Sequence, residues 1–237
     1  MKYHLVIPTI MTNPKQEFEC LKQLVTQFDA NGLDFTIYFV ANVPIREFTE
    51  YKPTDSRIVK SVSNLEFSIS RAINSIYQEI SYEDSDILGF IQSDTFFKNP
   101  NWIVDLTSIL INPEYNAGVL GLRPHRSCNI IEEGINYESK FNIHPCEWSD
   151  GVMIFNGKTF RTIGAFDENY FGDCESQDFC YQVREAGMVN YWCSDDTRYF
   201  GYVNRTTDFV GKARLNREEF TKKVNQSRKY LSEKWNR

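Results

Sequence analysis

An α/β fold in a single domain, with a mixed sheet of mainly parallel strands flanked by helices, follows from three observations. Short apolar runs rich in β-formers end in turn signals: residues 3–7 stop at Pro8, residues 35–40 run into 41–44, and residues 87–92 end in Ser93-Asp94. Between them lie stripes at helical spacing, Leu21, Leu24, Val25 and Phe28 in one, and Ile69, Ile73, Ile76 and Ile80 in the next. A chain of 237 residues, 41% hydrophobic, has the size of one large domain with a substantial core.

The elements follow in order. The first strand opens into a helix from about Pro14, which Asn31-Gly32 stops. The second strand, the second helix and the strand over 87–92 complete a β-α-β-α-β series. Alternation of this kind implies crossover connections, and ligands then collect outside the carboxyl ends of the strands. Beyond Asp94 the pattern predicts a helix from Pro100 with Trp102, Leu106 and Ile109 inward, then a strand over 117–122. The polar stretch 123–145 is too long for an ordinary connection and reads as a flexible flap or an added hairpin. Strands over 151–155 and 189–193, helices near Thr159 and over 176–186, and a terminal helix from about Asn216 complete the chain. The change of pattern after Asp94 divides the domain into residues 1–95 and 96–237.

Composition narrows the function. A net charge of −6 lacks the basic stripe that binding to a phosphate backbone requires, which argues against nucleic acid as a partner. No run approaches the ~20 apolar residues of a membrane span, and the opening MKYHLVIPTIMTN is too short for a signal peptide, so a cytoplasmic protein is expected. The six cysteines include no C-x-x-C pair, which argues against a structural zinc site.

Two constellations carry chemistry. Gln92-Ser93-Asp94-Thr95 places a carboxylate at the open end of a buried strand, where it can hold a hard cation against a diphosphate; Ser and Asp serve equally as a turn or helix cap there. Residues 163–187 are dense in turn glycines, aromatics and carboxylates. Glu175 and Asp178, at i and i+3, share one face at a helix start, where the dipole favours ionised carboxylates. Two such groups facing a cleft suit a general base and an orienting neighbour, although acidic residues also stabilise any helix start.

The segment IGAFDENYFGDCESQDFCYQVREAG resembles the glycosyltransferase family 2 signature of Gly-Gly-Phe-Asp-Glu, an aromatic pair and Glu-Asp-x-Asp before a helix ending in Ala-Gly. ILGFIQSDTFFKNPNWI is similar to that family's strand and Asp-x-Asp metal motif, SNLEFSISRAINSI to its Asn-x-Gly-x-Ser-x-Ala-x-Asn helix, and YHLVIPTI to its opening strand. The resemblance spans about residues 3–195 in the family's order. It implies a GT-A fold and an inverting glycosyltransferase that moves a sugar from a nucleotide diphosphate donor, a UDP-sugar foremost, to a hydroxyl acceptor such as a glycan. It further implies that Pro8, Thr9 and Asn42 line the base pocket with Asn64, Arg71 and Asn74 nearby, and that Gln92 and Ser93 lie along the donor. Asp94 would bind Mn²⁺ or Mg²⁺, Glu175 and Asp178 would supply the catalytic carboxylate, and Trp148, Ser149, Asp150 and Gly151 would contact the acceptor and the donor sugar.

Departures matter as well. Gln92 stands where the first metal Asp is usual, Ser176 where the base is often carried, and Tyr199-Phe200-Gly201-Tyr202 where a metal-binding His is common. These keep open a catalytically inactive relative that only binds sugar nucleotide or glycan. A nucleotidyltransferase on a similar sheet is a third reading.

Overall fold

The computed structural model describes residues 1–9, 14–41, 46–62, 68–93, 95–122, 128–131, 133–138, 140–193, 203–204 and 217–236. Its elements run β1 (Tyr3–Thr9), α1 (Pro14–Ala30), β2 (Phe35–Ala41), α2 (Arg46–Glu50), β3 (Ile58–Val62), α3 (Ile69–Tyr77), β4 (Ile87–Phe90), β5 (Thr95–Phe96), α4 (Trp102–Ile111) and β6 (Ala117–Leu122). There follow β7 (Cys128–Ile130), β8 (Ile135–Tyr137), β9 (Phe141–Ser149), β10 (Val152–Asn156), α5 (Gly157–Ile163), α6 (Glu175–Glu185), β11 (Val189–Cys193), β12 (Val203–Asn204) and α7 (Arg217–Trp235). No helix among the described residues is long and apolar enough to cross a membrane.

One sheet holds the molecule together, in the order β3-β2-β1-β4-β10-β6-β11-β9-β7, with β8 also pairing β9. Strands β3, β2, β1 and β4 are mutually parallel. β10 is inserted antiparallel between β4 and β6, and β11 returns parallel to β6. The strands alternate their side chains between two cores. Leu5, Ile7, Ile37 and Phe39 pack under α1 and α4 with Leu21, Phe28, Trp102 and Leu106, while Val6, Tyr38 and Val40 pack under α3, α5 and α6 with Ile73, Phe160 and Phe179. These three layers are the α/β architecture expected from the periodicity.

Two expectations need correction. The chain contains a further strand, β3, between β2 and α3, so the opening series is β-α-β-α-β-α-β. Its burial is uneven, with Val59 and Val62 exposed, because β3 is the sheet's edge; a half-exposed edge strand lacks the continuous apolar run that marks the others. The stretch 123–145 is, where described, mostly strand: β7 and β8 each pair with β9, as the added-hairpin alternative has it.

The chain steps outward from β1 to β2 to β3, then crosses back to the other side of β1 as β4. α1 covers one face and α3 the other, so a crevice opens between the carboxyl ends of β1 and β4, where an open sheet of this kind binds ligands. β10 runs antiparallel to β4 with Met153 opposite Phe90, which brings its start, and Asp150-Gly151 before it, to this same edge.

Candidate active site

Gln92 and Ser93 leave β4 half-buried at the crevice, and Pro8 stands half-buried near the end of β1. Thr95, two residues beyond Ser93, is fully buried in β5, and its Oγ1 has no hydrogen-bond partner among the described residues. Asn42, Asn64 and Asp94 lie outside the described residues.

Two of the expected nucleotide contacts also hold parts of the fold together. Thr9 is buried, and its hydroxyl donates to the buried carboxylate of Glu17, tying β1 to α1. Asn74 is 2% exposed. Its amide donates to Phe166 O at 2.8 Å and Glu168 Oε1 at 2.9 Å, and its oxygen accepts from Phe166 N at 3.0 Å. It clips α3 to the loop ahead of α6. Arg71, one turn earlier on the helix that Ser68 caps, sits with its Nε 3.5 Å from Glu168 Oε2.

The opposite wall is the start of α6. Cys174, its N-cap residue, has φ 77°, a left-handed conformation that costs a non-glycine residue energy and is often found at functional sites. Glu175 follows, 6% exposed, with Oε2 unpartnered among the described residues. Burial pushes its carboxyl up to about 8, with Asp150 and Asp173 adding to the rise. At neutral pH it is therefore mainly protonated. The expected ionised Glu175 is in this respect corrected: the helix dipole loses to desolvation because the side chain is buried rather than facing water.

Asp178 departs further from expectation. It is 1% exposed and accepts from Tyr170 Oη at 3.1 Å, Gln182 Nε2 at 2.7 Å, Lys234 Nζ at 3.0 Å and Trp235 Nε1 at 2.7 Å. A carboxylate enclosed by four donors anchors α7 onto α6. α6 turns Asp178 towards α7, which the helical spacing of Glu175 and Asp178 alone did not show. α7 continues the clamp through Tyr230 and Lys234 on Asp167 and Arg228 on Asp173.

The third wall is the turn between β9 and β10. Ser149 is fully buried and lies where a side chain on Gly121 would be, so glycine in β6 leaves room for the end of β9 to pack closely against it. Trp148 packs half-buried against the core under α6. Asp150 Oδ1 accepts from Gly151 N at 2.6 Å and from Ser176 Oγ at 3.2 Å. Gly151 has φ 95°, the conformation that lets the turn fold back on the carboxylate. The structure thus brings Asp150, Glu175 and Ser176 together, a grouping the sequence reading missed by treating 148–151 and 175–178 as separate contacts.

No protein-family model matches the sequence, and no curated protein is similar to it in sequence. Solved structures do share its shape. The catalytic domain of Drosophila β1,4-galactosyltransferase 7, in complex with xylobiose, superposes with a TM-score of 0.56 at 14% identity over 87% of this chain and 71% of that one. UDP-glucose pyrophosphorylase from Acinetobacter baumannii gives 0.53 at 10% identity over 98% of both chains. The inositol-1-phosphate CTP transferase from T. maritima gives 0.51 at 14% over 94% and 96%. The fold is that of the GT-A-like glycosyl- and nucleotidyltransferases. At such identities the likeness concerns the fold alone. Among the described residues no group of three or more His, Cys, Asp or Glu side chains is placed to hold a metal ion.

Proposed function

We propose that this protein is an inverting glycosyltransferase that moves a sugar from a nucleotide diphosphate donor, a UDP-sugar foremost, to a hydroxyl acceptor, a glycan being the natural class. The observation that carries this reading is the meeting of three walls at the carboxyl edge of the sheet: the polar exit of β4, the Asp150-Gly151 turn and the carboxylate-bearing start of α6. Pro8, Gln92, Ser93 and Arg71, with Asn42 and Asn64, would hold the nucleotide, and Trp148 to Gly151 the sugars. A structure of a mutant of the Drosophila galactosyltransferase holds manganese, UDP-Gal and xylobiose, which supports a donor, a divalent ion and an acceptor of these classes.

A divalent cation would sit at Asp94 and neutralise the diphosphate leaving group. The residues present fit it only in part. Asp94 is the one carboxylate of its motif, Gln92 contributes an amide, and hydroxyls flank Asp94 on both sides, those of Ser93 and the buried Thr95, whose Oγ1 has no partner among the described residues. The chemistry of the chain's own residues is positioning, exclusion of water by the buried α6 start, and acceptance of one proton from the acceptor.

Nucleotidyltransferases share this fold, so the decisive experiment separates the two leaving groups. With UDP-sugars and Mn²⁺, glycosyl transfer releases UDP; with a nucleoside triphosphate and a sugar phosphate, nucleotidyl transfer releases pyrophosphate. UDP release that grows with added saccharide acceptor supports the proposal. Pyrophosphate release alone replaces it with nucleotidyl transfer, and binding of UDP with neither product leaves a sugar-nucleotide binder.

A further inference from the structure

We propose that α7 latches the nucleotide side of the crevice: docked on the loop between α5 and α6, it keeps Glu168 against Arg71, so that α7 docking and nucleotide binding favour one another. This rests on the reading of Arg71 as a nucleotide contact given above, and adds a means of controlling it.

The loop, residues 164–174, carries two sets of contacts. Towards α3, Phe166 exchanges two hydrogen bonds with the Asn74 amide, while Glu168 accepts from Asn74 Nδ2 at 2.9 Å and lies 3.5 Å from Arg71 Nε. Towards α7, Asp167 Oδ2 accepts from Tyr230 Oη at 3.0 Å and Lys234 Nζ at 2.9 Å, Phe171 N donates to Ser227 Oγ at 2.8 Å, and Asp173 Oδ2 accepts from Arg228 Nε at 2.6 Å. Residues 166 and 168 thus serve one helix, and 167, 171 and 173 the other. Phe166 is fixed by the core, its ring stacked on Phe179 at 4.3 Å. Glu168, its side chain 45% exposed, takes its place from the backbone beside it, and Asp167 ties that backbone to α7. Its pairing with Arg71 at Nε leaves the two terminal nitrogens of the guanidinium for a ligand.

α7 is held by charge more than by apolar burial. Among its described residues Ser227 alone is buried, and none joins either core. Its cations Arg228 and Lys234 meet Asp173, Asp167 and Asp178, and Tyr230 and Trp235 add donors to two of the same carboxylates. Contacts between partly exposed charges are modest in strength, so a helix held this way can leave the surface while the sheet and both cores stay folded. Two arrangements result. With α7 docked, Glu168 fixes the Arg71 guanidinium at the start of α3; with α7 released, the backbone of Asp167 loses its tie and Glu168 its position. A nucleotide that uses Arg71 binds the docked arrangement more tightly, and by linkage its binding tightens α7.

The test uses the full chain with UDP and Mn²⁺, reading affinity by calorimetry and α7 docking by amide hydrogen exchange. R228A/K234A is expected to speed exchange in α7 by about tenfold and to weaken UDP binding by about fivefold or more. In the parent, saturating UDP should slow α7 exchange by a similar factor, with a smaller change in α4 on the other face of the sheet. E168A should weaken UDP binding as well, and R228A/K234A added to it should change the affinity by less than about twofold further, because the route is already cut. UDP affinity unchanged in R228A/K234A, or α7 exchange in the parent indifferent to UDP, overturns the coupling and leaves the nucleotide site standing. A triple variant that loses as much again as R228A/K234A alone overturns the route through Glu168. If R228A/K234A does not fold, exchange in the parent with and without UDP decides. A parent that does not bind UDP removes the nucleotide site itself, and the coupling with it.

Discussion

The indole Nε1 of Trp235 donates to Asp178 Oδ1 at 2.7 Å, joining the last turn of α7 to the first turn of α6. Lys234, beside it, reaches the same carboxylate at 2.9 Å and Asp167 at 2.9 Å. The contact explains why an acidic residue at a helix start can be buried here: its charge is matched from another helix.

Asp178 is therefore expected to behave as an anchor. Asp178→Asn should lower the free energy of unfolding by about 2–3 kcal/mol; Lys234, partly exposed, can swing to water, which keeps the loss at the low end for a buried pair. Urea denaturation gives the number. A variant of parental stability with abolished turnover would show that the carboxylate takes part in the chemistry after all.

Glu175 predicts a pH-dependent stability. Its carboxyl rises from an ordinary value of 4.5 to about 8 in the fold, so the folded state binds the proton more tightly than the unfolded chain between those values. Stability from this group is fully present below about pH 4.5 and is lost as pH rises through about 8. Glu175→Gln removes that loss. The stability difference between variant and parent should shift in the variant's favour by about 3 kcal/mol from pH 5 to pH 8, and parallel urea curves at the two pH values measure it. Equal shifts in both proteins would mean that Glu175 is ionised in the fold.

Binding of UDP is expected to need both a divalent ion and Asp94, since a diphosphate in a partly dehydrated cleft requires neutralisation. Calorimetry with Mn²⁺, with EDTA, and with Asp94→Ala should show a loss of at least about tenfold in the last two cases. Equal affinity in all three would remove the metal from the site.

Asn74→Ala should open the clip between α3 and the loop at Phe166. The buried N–H and C=O of Phe166 would each lose a partner, a cost of about 2–4 kcal/mol. Thermal unfolding should fall accordingly, and an unchanged midpoint would show that water replaces the amide.

Much of the scaffold was legible from periodicity, because its central strands are largely buried on both faces and read as short, mostly apolar runs, interrupted in one case by Asn190: 117–122 and 189–193 coincide with β6 and β11. β3 was not, since an edge strand with exposed Val59 and Val62 shows no such run. At the site, local spacing correctly gathered Glu175 and Asp178 at one helix start. It could not say which carboxylate is sealed, because two of the four donors to Asp178, Lys234 and Trp235, lie 56 and 57 positions later in the chain. The Asp150–Ser176 hydrogen bond likewise joins residues 26 apart. The terminal YLSEKW supplies that seal through Lys234 and Trp235.

The α7 clamp also sets an order of assembly. α7 follows in the chain every strand of the main sheet and both of the other walls of the crevice, and folding during synthesis proceeds from the amino end. A nascent chain can thus complete its sheet and both cores while Asp167, Asp173 and Asp178 still face water as a cluster of unmatched negative charge. The start of α6 acquires its final environment only when Arg228, Tyr230, Lys234 and Trp235 arrive, so its electrostatic surroundings mature after the scaffold.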